Sequence, residues 1–297
     1  MTEATKAQDA MDDARKKVEQ IVASKAYVDD PELLPWYTKE LPEPKPATRE
    51  LFEKYSKVPS ADVVHHIKHV RDQAFKTYPY PCLGNWGFVN LWIGEGPAYQ
   101  EVLSRVQNGE QLLDLGCCMG QDIRKLVYDG APSDKIYGSD LKQNFWDLSY
   151  DLFLDKSTLQ TRFLQADIFD SDSQLKQLDG KLDIVNAASF FHLWQWDEQV
   201  KAAKRVVQLL KPVPGGLLIG RQGGKPEAGS LGNVVKEMNP FWHNPESWAQ
   251  MWEQVGKETG TEWKVAATLG DEDLTRRMKT QLVPAGTRFM TFTIRRV

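Results

Sequence analysis

The stretch Gln111-Leu-Leu-Asp-Leu-Gly-Cys-Cys-Met-Gly-Gln121 decides the fold of this chain. A short apolar run ends in Asp114, a tight turn follows from Gly116 to Gly120, and residues 122–128 then form a helix-like segment. A strand, a glycine turn and a helix in this order form a pocket in which a nucleotide-like ligand meets the strand end and the helix N-terminus. The stretch therefore predicts the ligand-binding unit of an open α/β sheet.

A second acidic residue supports this prediction. Asp140 ends another short strand-like run, residues 136–141, and lies twenty residues past Gly120. An acid at that spacing is placed to bind ribose hydroxyls. The alternative is that Gly116 and Gly120 only make a tight strand-to-helix turn, and it requires the spacing of Asp140 to be a coincidence.

The residues of the turn indicate which nucleoside binds. A dinucleotide fingerprint, G-x-G-x-x-G, requires a glycine where Cys118 stands, because a side chain there crowds a pyrophosphate. A ligand without phosphate tolerates that side chain, and Asp114 before the turn suits a cationic or amine-bearing group. S-adenosylmethionine carries an amino acid, a sulfonium and a ribose but no phosphate. The turn therefore favours S-adenosylmethionine over NAD as the cofactor.

The rest of the chain alternates strand-like and helical segments, which predicts a parallel sheet covered on both faces. Two final strand-like runs with at most a short helix between them predict a terminal hairpin whose last strand is antiparallel. The strand-like runs after residue 141 are residues 161–169, 181–188, 216–220, 262–268 and 288–294. The candidate cofactor residues are Asp114, Gly116, Cys118, Gly120, Asp140, Leu141, Asp167, Ile168 and Asn186, of which Asp167 and Ile168 are placed to contact the adenine.

Longer motifs, spanning roughly residues 48 to 268, give the chain a specific resemblance. It resembles the fungal class I methyltransferases that tailor polyketide and polyketide–terpenoid (meroterpenoid) natural products, several of which are carboxyl O-methyltransferases. The matching motifs are Tyr78-Pro-Tyr-Pro-Cys82, Leu113-Asp-Leu-Gly-Cys-Cys-Met-Gly-Gln-Asp-Ile-Arg-Lys-Leu126, Asp129-Gly-Ala-Pro132, Tyr137-Gly-Ser-Asp-Leu141, Ala166-Asp-Ile-Phe169, Ser189-Phe-Phe-His-Leu-Trp194, Gly220-Arg-Gln222 and His243-Asn-Pro-Glu-Ser247.

The resemblance implies an α/β, Rossmann-like class I methyltransferase with a mostly parallel seven-stranded sheet, an antiparallel last strand and a helical N-terminal lid. It also implies O-methylation of a carboxyl or hydroxyl group on a polyketide- or terpenoid-derived natural product, with S-adenosylmethionine as the donor. Two alternatives stay open, because both keep the same pocket. One is N- or S-methylation, and the other is a methyltransferase-like cyclase or pericyclase that transfers no methyl group. A binding protein with a dead site is disfavoured by the completeness of the motifs.

Composition excludes other classes of protein. The formal net charge is −4 and no basic block stands out, which argues against a nucleic-acid partner. The first 17 residues lack the apolar segment of a secretory signal, and no apolar run is long enough to cross a bilayer. Three cysteines, two of them adjacent, indicate a reducing cytosol rather than a disulfide framework. We therefore expect a cytoplasmic protein whose partner is an apolar small molecule, and a homodimer is left open.

Residues 1–95 lie outside the alternation and predict an N-terminal helical cap over the acceptor, whereas residues 96–297 form the methyltransferase domain. Helices are expected over residues 3–24, 48–57 and 61–76, with Met11 on the apolar face of the first and Ser60 as the N-cap of the third. The first helix is alternatively a dimer contact or a loose tail. His65 and His69 share a helix face, but no nearby Cys or carboxylate completes a metal site, so no metal is expected.

The acceptor side rests on residues that follow the fourth and fifth strands. His192 is the catalytic candidate, as a general base or an orienting group, and its segment is similar to one in plant small-molecule O-methyltransferases whose histidine deprotonates a phenol. The alternative is a structural histidine that pins the following helix. Arg221 is the second catalytic candidate, since a guanidinium can bind a carboxylate with two hydrogen bonds. The candidate substrate residues are Tyr78, Tyr80, Phe191, Gln222, His243 and Trp248, with core packing as their alternative role.

Overall fold

A computed structural model describes residues 3–230, 240–274 and 286–297 of the chain. Within them the main sheet has seven strands, in the order β3-β2-β1-β4-β5-β9-β8, and a separate short ribbon pairs β6 with β7. The strands are β1 (Leu112–Leu115), β2 (Ile136–Asp140), β3 (Arg162–Gln165), β4 (Ile184–Asn186), β5 (Leu217–Gly224), β6 (Gly229–Ser230), β7 (Phe241–Trp242), β8 (Trp263–Leu269) and β9 (Arg288–Arg296).

The direction of the strands confirms the predicted sheet. The first five strands pair in parallel, and β9 lies antiparallel between β5 and β8. All residues of β1, β2 and β4 are buried, as expected for parallel strands covered on both faces. The predicted terminal hairpin is therefore present, with β9 as its antiparallel last strand.

Two strands end elsewhere than the sequence suggested. Residues 161–169 were expected to form one strand, but β3 ends at Gln165 and Asp167 turns the chain, since its Oδ1 accepts the backbone N–H of Phe169 at 2.9 Å. An aspartate that bonds the backbone two residues ahead competes with strand pairing in this way. In contrast, β5 runs beyond Gly220 to Gly224, because β9 pairs with it along its whole length.

Helices cover both faces of the sheet and form the N-terminal region. They are α1 (Glu3–Ser24), α2 (Pro46–Glu50), α3 (Val63–Thr77), α4 (Pro81–Gly84), α5 (Trp92–Glu95), α6 (Tyr99–Gln107), α7 (Gln121–Tyr128), α8 (Gln143–Phe153), α9 (Trp196–Leu209) and α10 (Pro245–Thr259). A π-helical turn, Leu51–Tyr55, continues α2, and short 3₁₀ turns occupy Ala26–Val28, Pro31–Leu33, Ser60–Asp62, Gly87–Val89, Ser133–Lys135, Gln174–Leu178 and Phe191–Leu193.

The side chains of neighbouring residues in one strand point to opposite faces of the sheet. Leu217 packs with α6 and α7 on one face, whereas Leu218 packs with α9 and α10 on the other. The same alternation holds for Ile184 and Val185 in β4. The two faces together bury the apolar interior and leave the carboxyl ends of the parallel strands at one edge, which is where ligands bind in open α/β sheets.

The N-terminal region packs against α8 through a third apolar cluster. The rings of Phe52 and Phe153 are stacked with centroids 5.4 Å apart, and the hydroxyl of Tyr55 donates to Oδ2 of Asp155 at 2.8 Å. Asp155 also accepts from the fully buried Arg124, at 2.9 Å from Nε. The π-helical turn is thus tied to the methyltransferase core by both apolar and polar contacts.

One detail of the predicted cap differs from the structure, and another lies outside the described residues. The N-cap of α3 is Asp62 rather than Ser60, because Ser60 starts a 3₁₀ turn and its hydroxyl donates to Glu53 at 2.7 Å. The side chain of Met11 lies outside the described residues. The division at residue 95 stays a prediction. None of the described helices combines the length and the apolarity needed to cross a bilayer.

Candidate functional site

The turn after β1 has a backbone that requires glycine. Gly116 and Gly120 have φ angles of 74° and 62°, and Cys118 between them has a φ of 49°. A Cβ at Gly116 would lie 2.8 Å from the ring of Phe190, and one at Gly120 would lie 2.6 Å from Nη1 of Arg124. Both positions are therefore restricted by backbone conformation and by space.

Asp140 connects this turn to the end of β2. Its Oδ2 accepts the backbone N–H of Cys118 at 2.9 Å, and its Oδ1 accepts that of Lys142 at 3.1 Å. Burial raises the pKa of Asp140, and the hydrogen bonds from Cys118 and Lys142 oppose that rise. The neighbouring Leu141 is 51% exposed. The predicted ribose-binding acid is thus held beside the glycine turn.

Asp114 places a second carboxylate at the base of the same turn. It is buried, and its Oδ1 accepts from Nδ2 of Asn186 at 2.8 Å, which joins the ends of β1 and β4. Burial raises the pKa of Asp114 to about 7, and the hydrogen bond from Asn186 acts in the opposite direction. A buried acid of this kind gains from a cationic ligand, because an ammonium group replaces the proton and compensates the charge.

A third acid, Asp122, lies in the first turn of α7. It is buried, its Oδ1 accepts the backbone N–H of Ile93 at 3.1 Å, and burial holds its pKa well above the usual range. The charge of Asp114 raises that pKa further. Asp122 therefore anchors the start of α5 to the turn after β1, residues 116–120, which we call the donor turn.

The predicted adenine contacts follow β3. Ile168 is buried in the core on the α9 face of the sheet, whereas the Asp167 side chain is exposed and accepts from the backbone of its own turn. The structure brings both residues to the carboxyl end of the sheet. Their contact with a ligand stays a prediction.

Tyr78 and Tyr80 lie on the donor side of the site. Their rings are 4.7 Å apart, and Tyr80 packs 5.3 Å from Phe145 on α8. Burial raises the pKa of Tyr80, with the charge of Asp140 as the next cause. Nζ of Lys142 lies 5.4 Å from the ring of Tyr78. These two rings, expected to line the cofactor or the acceptor site, are therefore grouped with Asp140, and their contact with a ligand stays a prediction.

His192 lies in the 3₁₀ turn after β4, with one ring nitrogen engaged by the backbone. The N–H of Gly223 donates to its Nδ1 at 3.4 Å, and Nε1 of Trp242 donates to its carbonyl oxygen at 3.2 Å. Burial and the nearby charge of Arg221 lower the pKa of His192 to about 4. The low pKa favours the neutral ring at pH 7, and the hydrogen bond from Gly223 to Nδ1 favours the tautomer with the proton on Nε2.

Arg221 is stacked between two aromatic rings. Its Cζ lies 3.1 Å from the ring centroid of Trp92 and 3.3 Å from that of Phe289. A cavity of about 30 Å³ borders this group and is lined in part by Trp92, Arg221, Asn186 and Ala188. The guanidinium thus lies beside the end of β4, and its charge acts on Asp122 in the first turn of α7.

The remaining substrate candidates are buried together under α10. Phe191, Gln222, His243 and Trp248 are each 0% exposed. The Trp248 ring lies 5.4 Å from Phe191 and 5.1 Å from His243, whose Nδ1 is 2.9 Å from the hydroxyl of Ser247. Burial lowers the pKa of His243 to about 3. Phe191, His243 and Trp248 thus pack against one another, and contact of the four residues with a substrate stays a prediction.

Sequence reasoning did not single out two residues of this arrangement. Trp92 and Phe289 both contact the guanidinium of Arg221. They are far apart in the chain, and the pairing of β9 with β5 brings Phe289 to this place.

No group of three or more potential metal ligands occurs in the part of the chain that the structure describes. His69, one of the two histidines that share a face of α3, lies with its Nε2 2.8 Å from Nε2 of Gln73.

Two models of known protein families match separate parts of the chain. A family model described as a methyltransferase domain matches residues 112–215, and one described as the meroterpenoid methyltransferase N-terminal domain matches residues 36–89. The first match contains the donor turn and the ends of β2, β3 and β4. The second lies within the predicted cap.

Three curated fungal proteins are similar over most of their length. The O-methyltransferase phiE of a fungal species is 47% identical over 82% of this chain and 82% of its own length. The asnovolin E/chermesin D methyltransferase nvfJ of Aspergillus novofumigatus is 43% identical over 73% of this chain and 78% of its own. The methyltransferase adrK of Penicillium rubens is 42% identical over 84% of this chain and 89% of its own.

Proposed function

The chain belongs to the fungal class I methyltransferases of secondary metabolism, which use S-adenosylmethionine, and we propose that it methylates a carboxylate oxygen of an apolar polyketide- or terpenoid-derived acid. The donor turn fits the cofactor, because buried Asp114 suits its ammonium and Asp140 lies where ribose hydroxyls bind. The bound cofactor supplies an activated methyl group. The chain then has to orient the acceptor oxygen in line and exclude water.

The protonation of His192 is the main reason for proposing a carboxylate, and not a hydroxyl, as the acceptor group. A hydroxyl acceptor needs a base whose pKa lies near the working pH and whose free nitrogen can take a proton. His192 has a pKa of about 4, and its Nδ1 already accepts from Gly223. Its Nε2 carries the proton, so the ring is a hydrogen-bond donor. A carboxylate is ionised at neutral pH and needs a donor, not a base.

Arg221 supplies a second donor of the kind that a carboxylate prefers. A guanidinium binds a carboxylate with two parallel hydrogen bonds, and it stays charged in apolar surroundings. The charge of Arg221 acts on His192, which places the two groups in one region of the site. Together they give a neutral donor and a cationic donor for one acceptor group.

The aromatic residues around this region support an apolar scaffold. The ring of Trp194 packs 4.9 Å from Phe190 and 5.0 Å from Phe169, and Trp242 lies 6.1 Å from the His192 ring. Aromatic side chains offer large apolar surfaces of fixed shape to a ligand. The relatives phiE, nvfJ and adrK are all named as methyltransferases, which disfavours the cyclase alternative.

The product distinguishes the possible reactions. We would incubate the protein with S-adenosylmethionine, deuterated in the methyl group, and matched aromatic acids and phenols of the same scaffold. Carboxyl methylation gives an ester that releases labelled methanol in mild alkali, whereas hydroxyl methylation gives an ether that does not. An ether as the main product would disprove the carboxylate proposal. An isomer without added label would instead establish a cyclase.

Substitution of His192 distinguishes a role as hydrogen-bond donor from a role as general base. His192→Gln keeps an N–H at the position of Nε2 and should retain turnover within about tenfold. His192→Ala removes the hydrogen-bond donor and should reduce turnover more than His192→Gln does. If His192 is a general base, both variants lose about two orders of magnitude or more, since general base catalysis contributes on that scale. His69→Gln, an exposed histidine on α3, is the matched control.

We further infer a cytoplasmic enzyme whose partner is this small acid, without a nucleic-acid or membrane partner. The three cysteines are free thiols, which fits a reducing compartment, and the net charge of −4 suits no polyanion. A homodimer through α1 is part of the same proposal. Fractionation of the source fungus would test the compartment, and light scattering of the full chain against a variant lacking residues 3–24 would test the dimer.

A further inference from the structure

We propose that Trp92 and Phe289 are positioning residues that fix the plane of the Arg221 guanidinium for the acceptor carboxylate. The inference rests on the proposed carboxyl methylation and adds two residues from distant parts of the chain. Trp92 is the first residue of α5, at the end of the predicted cap, and Phe289 is the second residue of β9. Neither is adjacent to the donor turn in sequence.

The pairing of β5 with β9 explains how Phe289 reaches Arg221. Arg221 is opposite Thr291, and Gly223 is opposite Phe289. Residues two apart in a strand point to the same face of a sheet, so Arg221, Gly223, Thr291 and Phe289 share one face. Gly223 has no side chain, and the Phe289 ring therefore meets the guanidinium diagonally across the strand pair.

Trp92 contacts the guanidinium from a second side. The ring centroids of Trp92 and Phe289 are 5.7 Å apart with an angle of 44° between the rings, and Cζ of Arg221 is within 3.3 Å of both centroids. A cation between two ring faces is held by their quadrupoles as well as by packing. The start of α5 is itself fixed, because the N–H of Ile93 donates to buried Asp122.

The stack determines the direction in which Arg221 can bind. All N–H bonds of a guanidinium lie in its plane, and the sides of the group that Trp92 and Phe289 occupy are closed to a ligand. The cavity beside the group is bordered by Asn186 and Ala188 at the end of β4, on the donor side. In this proposal the acceptor carboxylate reaches the guanidinium from the side of that cavity. The stack thus acts on the acceptor through Arg221, without touching it.

A double-mutant cycle tests this indirect role. Trp92→Leu keeps an apolar side chain but removes the ring, and it should raise KM for the acid about tenfold while kcat changes less than threefold. In an Arg221→Ala background the same substitution should change neither constant by more than twofold. Phe289→Leu should behave like Trp92→Leu, and Trp92→Phe should restore KM to within threefold of the wild type.

The matched control is Trp263→Leu, because Trp263 on the edge strand β8 also faces an arginine, Arg296, at 5.9 Å from Cζ. It should leave KM unchanged. Equal effects of Trp92→Leu in both backgrounds would show that Trp92 acts independently of Arg221 and would overturn the inference. So would a changed affinity for S-adenosylhomocysteine in Trp92→Leu. Ester formation by the wild type tests the proposed function separately, and an ether product would overturn both proposals.

Discussion

The backbone N–H of Cys118 donates to Oδ2 of Asp140 across 2.9 Å, so a single carboxylate ties the turn after β1 to the end of β2. Cys118 stands where a dinucleotide site has its second glycine. Its φ of 49° is unfavourable in free energy for residues other than glycine. The carboxylate therefore stabilises a backbone conformation in the same place where it is available to a ribose.

Asp140→Asn should weaken the binding of S-adenosylhomocysteine about tenfold or more. The amide keeps the size of the side chain but loses the charge, and hydrogen bonds to charged groups contribute about 1.5–3 kcal/mol. Calorimetric titration of the purified variant measures the change. Asp134→Asn, an exposed acid in the 3₁₀ turn before β2, is the control and should bind like the wild type. An unchanged affinity in Asp140→Asn would remove Asp140 from the cofactor site.

Cofactor affinity should fall as the pH drops through about 7. Burial raises the pKa of Asp114 to about 7 in the free protein, and an ammonium group binds to the ionised form. Binding therefore releases a proton below that pH, and the affinity should decrease by up to tenfold for each pH unit. Titrations at pH 5.5–8.5, in two buffers of different ionisation enthalpy, measure both effects. Asp114→Asn should remove the pH dependence, and if it persists, another group is responsible.

Gly116→Ala should destabilise the fold and weaken cofactor binding together. The φ of 74° costs about 1–2 kcal/mol for a residue with a Cβ, and overpacking against the Phe190 ring costs about 1–3 kcal/mol. Chemical denaturation measures the sum. Gly109→Ala is the control, because Gly109 has a φ of 96° and nothing within 4 Å of the new Cβ. Phe190→Leu should recover part of the loss in Gly116→Ala. No recovery would show that the backbone alone is responsible.

Asp155→Ala should be strongly destabilising. Removal of one partner from a buried ion pair costs about 3–5 kcal/mol, because the remaining charge is left uncompensated. Arg124 is fully buried and donates to both oxygens of Asp155, at 2.9 and 3.2 Å. Glu253→Ala, which breaks an exposed pair with Lys257 on α10, should leave the free energy of unfolding nearly unchanged in the same denaturation experiment. Equal losses in the two variants would contradict the structural role of Asp155.

The sheet was predictable because its signals are local. The apolar runs that became β1, β2 and β4 are short, fully buried and followed by turn residues, and the helix expected over residues 3–24 has those same bounds. The ends of β3 and β5 were not predictable in the same way. Asp167 stops one strand through a side-chain hydrogen bond, and pairing with the distant β9 extends the other.

The donor turn was predictable for a related reason. Gly116, Gly120 and Asp140 lie within 25 residues of sequence, and their spacing reflects one continuous strand–turn–helix–strand unit. The acceptor side combines residues from α5, β4, β5 and β9. The tautomer of His192 depends on a backbone N–H thirty-one residues away, and the stack on Arg221 depends on Phe289. Contacts of that kind follow from tertiary packing and leave no local pattern.

The prediction that residues 1–95 form a cap over the acceptor makes an exchange of caps between relatives a way to change the acceptor range, and Tyr55 limits such an exchange. Residues 36–89 match a family model of their own and so suggest a module that can be transplanted. Tyr55, however, donates to the same Oδ2 of Asp155 that accepts from Arg124. A chimera whose cap lacks a donor at that position would leave this network short of one hydrogen bond. A transplanted cap therefore has to be chosen together with α8 and the residues after it, as one inherited unit.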